Sequence, residues 1–336
     1  MAAHTAPPVL KEFCPLYYLL NSIPAKVQKG FRSVLVYLTA LDASSDYIAV
    51  GSSIGMLYLY CRRLGHMNKY NLEGKSEPIT AVKLLSCFDD LVAVGTASGR
   101  VALFQLVSPL PGRNKQLRRF DVIGLHKSTI TALSWSPNGM KLFSGDDRGR
   151  VVFSAVDLDQ GVCSPVLLLE EPYPIVQLEY SQKVLLVSSQ QRCIMYYTQE
   201  QSLQQLGSKP RKSIGRLGAC FRVGLCKQSD LQVYAARPGL RLWRADVRGE
   251  AAGRPELLPE PRLAAELEQY SVYLLDCLNQ AIVGGMEGCG DIVSVACTEN
   301  EIFILKGDRD IIRIATRPEG LAPNREACSP PIITAH

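Results

Sequence analysis

Few residues in this chain have the type and spacing that chemistry needs. Gly284-Gly-Met-Glu-Gly-Cys-Gly290 has the glycine density of a phosphate-cradling loop. It lacks the lysine of a P-loop and the strand–helix frame of a dinucleotide fold, so it reads as a turn between strands. The acidic pairs Asp89-Asp90 and Asp146-Asp147 carry the group used in general acid–base work. Such work needs a partner with an altered pKa, none can be named, and acids favour turns. Cys220 and Cys226 flank a strand and a turn with no histidine near them in sequence, against a thiolate nucleophile. No Gly-x-Ser-x-Gly elbow occurs. The eleven cysteines include no Cys-x-x-Cys pair, and the four histidines are scattered, against a zinc cage. The expectation is no catalytic residue, no cofactor and no metal.

Two groups suit binding better. Basic residues gather at Arg113, Lys115, Arg118 and Arg119, and again at Lys209, Arg211 and Lys212. They read as solvated loops, or as contacts to an acidic protein or anionic headgroups. Aromatics do not interleave with them, and a net charge of +5 from 37 basic and 32 acidic residues is weak, so nucleic acid is disfavoured. Phosphoinositide-binding propellers carry Phe-Arg-Arg-Gly; the nearest match, Phe31-Arg-Ser-Val, lacks the second arginine and the glycine. His126, just before Thr129-Ile-Thr-Ala-Leu-Ser-Trp135, has the position of a histidine that hydrogen-bonds within its own sheet, with ligand binding as the alternative.

These residues must be held by 336 residues of which 47% are apolar and 21% charged, a globular composition. No run of 18 apolar residues exists, and Met1 to Pro8 lacks a secretory signal. Scattered cysteines inside apolar runs fit a reduced, cytoplasmic protein.

The organising signal is a repeat. Thr39, Thr80, Thr131 and Val176 open successive units 41, 51 and 45 residues apart. The first three share glycine pairs four residues apart: Gly51/Gly55, Gly95/Gly99 and Gly145/Gly149. The first glycine of each pair ends a strand, and the second sits in a tight hairpin turn whose positive φ favours glycine. A fifth unit ends at Trp243 and a last one runs from Val293 to Ile314. The period of roughly 40–45 residues is that of four-stranded propeller blades. Gly249 to Gln269 has no strand pattern, which predicts about seven units with the sixth incomplete. Ring closure hides sheet edges, and Phe31–Leu38 is the expected outer strand of the last blade. Val9 to Gln28 is expected to hold a short helix. The resulting division is an N-terminal extension over 1–30, a WD-repeat-like all-β propeller over 31–320 with an irregular segment at 249–269, and a disordered tail over 321–336. Partner contacts are expected from the 108–119 loop, the turn at Asp146, Asp147 and Arg148, and the 209–212 loop.

Whole segments also resemble a known family: Phe13–Leu20, Lys29–Ser33, Asp46–Tyr60, Leu84–Ala93 and Asn138–Asp147. They are similar to the amino-terminal WD-repeat propeller of the tectonin β-propeller repeat-containing family. A more distant likeness is to a trafficking subunit of lysosome-related organelles, the Hermansky–Pudlak syndrome 5 family. The likeness covers about Phe13 to Val247 and Tyr270 to Gly320. The first family's tectonin repeats and autophagy-modifier docking motif have no counterpart in these 336 residues. The resemblance implies a non-catalytic scaffold, a positive regulator of autophagy and of export from the endoplasmic reticulum. Its implied partners are coat, tethering and ubiquitin-like autophagy proteins. Its implied sites are endoplasmic-reticulum exit sites, autophagosomes, late endosomes or lysosomes. A propeller that binds phosphoinositides or a membrane surface peripherally, and an enzyme with a lined channel, stand as alternatives.

Overall fold

A computed structural model describes residues 11–13, 16–72, 76–85, 91–107, 116–122, 124–207, 209–212, 214–222, 227–238, 241–246, 248, 256–257, 272–276, 281–286 and 290–315. Among them are six four-stranded antiparallel sheets. Blade 1 comprises Leu38–Ala43, Tyr47–Ser52, Met56–Cys61 and His66–Asn71, and blade 2 Ile79–Leu84, Leu91–Thr96, Val101–Gln105 and Arg118–Val122. Blade 3 is Ile130–Trp135, Lys141–Asp146, Arg150–Asp157 and Val162–Glu170; blade 4 is Ile175–Ser181, Val184–Ser189, Cys193–Tyr197 and Ser202–Gln205. Blade 5 is Ala219–Phe221, Gln232–Arg237, Arg241–Asp246 and Glu256–Leu257. Blade 6 takes Ile292–Cys297, Glu301–Lys306 and Asp310–Ala315, with Lys11–Phe13 as its fourth strand. The all-β propeller class holds; the described residues form six four-stranded blades, where the repeat predicts about seven units with the sixth incomplete. The incomplete place is a two-stranded sheet, Val272–Asp276 with Ala281–Met286, between blades 5 and 6 in sequence. Of the patternless stretch 249–269, Glu256–Leu257 forms the outer strand of blade 5; 249–255 and 258–269 lie outside the described residues.

First strands of successive blades pack against each other, so they face the hub. Middle strands are sandwiched between neighbouring blades and read as unbroken apolar runs; Leu91–Thr96 is buried throughout. Outer strands such as His66–Asn71 are mostly accessible. The apolar core is therefore a series of layers between blades. Leu59, Ile79 and Phe104 fill the first layer, Leu103, Ile130 and Trp135 the second, and Phe143, Ile175 and Tyr196 the third. Met195, Phe221 and Trp243 lie between blades 4 and 5, and Leu41, Tyr58 and Phe303 between blades 6 and 1. Each such side chain stabilises by about 1.5–3 kcal/mol.

The two glycines of each pair do different jobs. Gly55, Gly99 and Gly149 have φ of +78°, +93° and +86°, as a hairpin turn demands. Gly51, Gly95 and Gly145 lie inside strands, where no positive φ is needed. A Cβ at Gly51 or Gly95 would overlap the Cγ2 methyl of Ile79 or Ile130, and one at Gly145 would lie 2.6 Å from that of Ile175. Each isoleucine opens the next blade, so the first glycine makes room for a neighbour. The same isoleucines accept a hydrogen bond: the Thr80 and Thr131 hydroxyls donate to the Ile130 and Ile175 carbonyls, both at 2.6 Å, and Thr39 donates likewise to Ile79.

The ring closes with a strand other than the one expected. Lys11–Phe13 pairs with Arg313–Ala315. Arg32–Leu35 is instead taken up by a hairpin with Lys26–Lys29, because Gly30 at φ +59° turns the chain back at once. The helix of the N-terminal segment is short, Tyr17–Ser22, and ends before Pro24, whose preceding residue is held extended. Its Leu19 is fully buried against blades 6 and 1. The Arg309 guanidinium donates to the carbonyls of Ile23, Pro24 and Val36 at 2.8–3.2 Å, and Leu38 N–H donates to Asp308.

Gly149→Ala combines a strained φ with overlap of the Glu171 carbonyl oxygen. It should cost more than about 3 kcal/mol in urea unfolding. Gly30→Ala, at φ +59° with open space around it, should cost about 1 kcal/mol. Equal costs would contradict the crowding between blades.

Candidate functional site

The predicted site residues fall into three groups. Asp146 and His126 are internal. Asp146 is fully buried, and its Oδ2 accepts from His126 Nδ1 at 2.7 Å. Its Oδ1 accepts the amides of Arg148 and Arg150 at 3.0 and 2.9 Å, holding the hairpin turn. His126 Nε2 meets the Ser144 hydroxyl at 2.8 Å. Burial pushes the imidazole pKa down against the opposing pull of Asp146, so the neutral ring donates from Nδ1 and accepts from Ser144. Asp146 is therefore corrected from a surface contact to a buried cap. The position recurs as Ser52, Thr96 and Ser189, whose hydroxyls accept amides across their own turns. Arg211 is likewise withdrawn: it is 5% exposed and donates to the Ser189 carbonyl and the Cys193 sulfur, both at 2.9 Å.

Arg118 and Arg119 lie on the outer strand of blade 2, not in a loop. Arg118 donates to the Leu158 carbonyl and stacks 4.9 Å from the Phe120 ring; Arg119 pairs with Asp121 at 3.3 Å. Arg113, Lys115, Asp89, Asp90 and Cys226 lie outside the described residues. Asp147, Arg148, Lys209 and Lys212 are exposed. Arg148 sits in the turn between second and third strands of blade 3, and Arg211 N–H bonds Gln191 in the equivalent turn of blade 4. Alternating strand direction places such turns on one face of the ring, so Arg148, Lys209 and Lys212 share it.

At the hub, Asp42 Oδ2 accepts Leu84 N–H at 2.8 Å and Asp42 Oδ1 pairs with Lys83 at 3.3 Å. Glu179 accepts Phe221 N–H at 3.0 Å, and burial raises its pKa. Both carboxylates thus tie an inner strand to the next blade. Among the described residues, no three His, Cys, Asp or Glu side chains are placed to hold a metal ion.

The opposite face has a polar cavity of about 790 Å³ at the junction of blades 6 and 1, lined by Ser44, Ser45, Arg62, Cys297, Thr298 and Glu301 among others. Its floor is a charged triad. Arg62 forks onto both Glu301 oxygens at 2.6 Å, Arg313 reaches Glu301 Oε1 at 2.6 Å, and Arg62 also donates to the Ser44 carbonyl. Burial alone would raise the Glu301 pKa, but Arg62 and Arg313 hold it below the ordinary carboxylate value. The Ser44 hydroxyl caps its own turn by accepting the Tyr47 amide. The Thr298 hydroxyl also donates to Glu301 Oε2 at 3.3 Å, onto a carboxylate already held by the two arginines. Repeat reasoning missed the triad because Arg62 and Glu301 lie 239 residues apart.

Sequence comparison agrees with the fold. No family model matches the chain. Over 96% of its length it is 64% identical to human Tectonin beta-propeller repeat-containing protein 2 and spans 25% of that protein. It is 36% identical over 72% of its length to the Drosophila melanogaster WD repeat-containing protein CG11141, spanning 36% of it. It is 32% identical, again over 72%, to human BLOC-2 complex member HPS5, spanning 21% of it. The chain thus covers about a fifth to a third of these relatives.

Since Glu301 titrates lower in the folded than in the unfolded chain, its contribution is present above the ordinary carboxylate range and fades as pH falls through the folded pKa. Glu301→Gln should cost roughly 3 kcal/mol at neutral pH by leaving two buried guanidiniums uncompensated. It should also flatten the acid limb of a stability-versus-pH curve. An unchanged acid limb in the variant would show that the triad does not govern closure.

Proposed function

We propose that the chain, as a relative of these propeller proteins, is a non-catalytic platform on which trafficking proteins assemble. The observation that carries this is the use of its reactive groups. Asp42, Glu179, His126, Asp146 and Glu301 are all engaged in holding blade to blade or strand to strand. Among the described residues, the turns expose charge at Asp147, Arg148, Lys209 and Lys212. Rigid rings with mobile charge at their turns bind by complementarity of shape and potential.

The finer reading follows the relatives. One is named as a member of a multi-subunit complex. Another carries the tectonin propeller name, whose family the sequence segments resemble. We take the chain to serve autophagy and export from the endoplasmic reticulum, meeting coat, tethering or ubiquitin-like autophagy proteins on its turn-bearing face. Its working place would be cytoplasmic, at endoplasmic-reticulum exit sites, autophagosomes or late endosomes and lysosomes. No helix among the described residues is long and apolar enough to cross a membrane.

Proximity labelling with the full chain tests this. Neighbours drawn from membrane traffic are expected, and Arg148→Ala/Lys209→Ala/Lys212→Ala should weaken their capture several-fold through slower association. A neighbour set without trafficking proteins would remove the proposal.

A further inference from the structure

Among the described residues, the most exposed large apolar side chain is Phe31, at 105% of its reference surface. It occupies the tip of the hairpin Lys26–Lys29/Arg32–Leu35, in a two-residue turn behind Gly30. Lys29 and Arg32 flank it, paired across the last rung of the hairpin, and Lys26 lies opposite Leu35 at the other end; all three are exposed. No acidic residue occurs from Phe13 to Leu41. The hairpin is therefore a cationic finger with an aromatic end.

An isolated two-stranded hairpin is marginal in water, and this one is fixed at its base. Val27 and Val34 face each other across the strands and pack on the core between blades 6 and 1. Arg309 clamps the carbonyls on both sides of it, and Val36 N–H closes onto Ala25. Arg309 lies in the turn between second and third strands of blade 6, so the finger rises from the face that also bears Arg148, Lys209 and Lys212. The acids Asp308 and Asp310 stay at its base.

We propose that this hairpin is a membrane-surface anchor, inserting Phe31 at the headgroup boundary of an anionic bilayer while Lys29 and Arg32 bind the lipid phosphates and carboxylates and Lys26 adds longer-range attraction. An aromatic ring settles at that boundary because one side is apolar and the other wet. Each nearby basic residue adds about 1 kcal/mol of attraction to an acidic leaflet. One aromatic and two cations at the tip, with a third at the base, make a reversible anchor, suited to a platform that visits membranes. This does not rest on the protein-assembly reading, which stands or falls separately.

The test is flotation of the full 336-residue chain with vesicles of phosphatidylcholine alone or with added phosphatidylserine. The chain should float with the acidic vesicles and not with the neutral ones. Lys29→Glu/Arg32→Glu should lower the bound fraction at least about tenfold. Phe31→Ser should lower it several-fold, and Phe31→Trp should bind and shift its emission to the blue. Thermal unfolding of each variant should match the parent, because the tip packs on nothing. Failure of the parent to float, Lys29→Glu/Arg32→Glu or Phe31→Ser variants that float like it, or an unshifted Phe31→Trp emission would each overturn the anchor.

Discussion

Everything in this ring depends on how closely one sheet can approach the next. Gly51, Gly95 and Gly145 leave a side-chain-sized gap in a middle strand, and Ile79, Ile130 and Ile175 of the following blade fill it. The hydroxyl of Thr39, Thr80 or Thr131 then ties the two inner strands through the carbonyl of the same isoleucine. One residue thus supplies both the apolar knob and the polar acceptor, which sets blade separation and register together. Large side chains such as Phe104 and Trp135 complete the layers, and protein interiors tolerate little change in such a fit.

Beyond the fourth blade the device fades. Val176 has no hydroxyl, and Ser188 stands where the earlier blades have glycine. Other interactions take over. Glu179 reaches the Phe221 amide, and Arg237 stacks 4.3 Å from the Trp243 ring. The two-stranded sheet packs Val272 and Met286 on Ile304 and Ile312 of blade 6. Closure is then polar and long-range: the Lys11–Phe13 strand, the Arg309 clamp and the Arg62–Glu301–Arg313 triad. A ring that is apolar and repetitive on one side and ionic at its junction has a cavity at that junction and a basic finger on the reverse face.

Local periodicity made the propeller class readable before any coordinates. Glycine pairs and threonine spacing repeat because the contacts they serve repeat. The place of His126 was readable for the same reason. What could not be read depends on contacts without a period. Asp146 and Asp147 are identical side chains one residue apart, but Asp146 ends the buried strand and Asp147 begins the exposed turn. Arg32–Leu35 has the composition of a closing strand, but Gly30 folds it onto Lys26–Lys29 first. The blade count slipped because strand propensity reveals strands, not whether four of them share one sheet. Why Gly95 ends its strand was not readable either: the atom it makes room for, on Ile130, is 35 residues away.

The most direct measurement is a double-mutant cycle on Gly95 and Ile130, read by denaturant unfolding. Gly95→Ala forces a methyl onto the Ile130 Cγ2 and Cβ; Ile130→Gly removes both atoms and leaves a void the new methyl can enter. The account predicts that the two losses do not add, with the pair at least about 1 kcal/mol more stable than the sum of the single changes implies. Additivity within about 0.5 kcal/mol would show that the blades are spaced by something else.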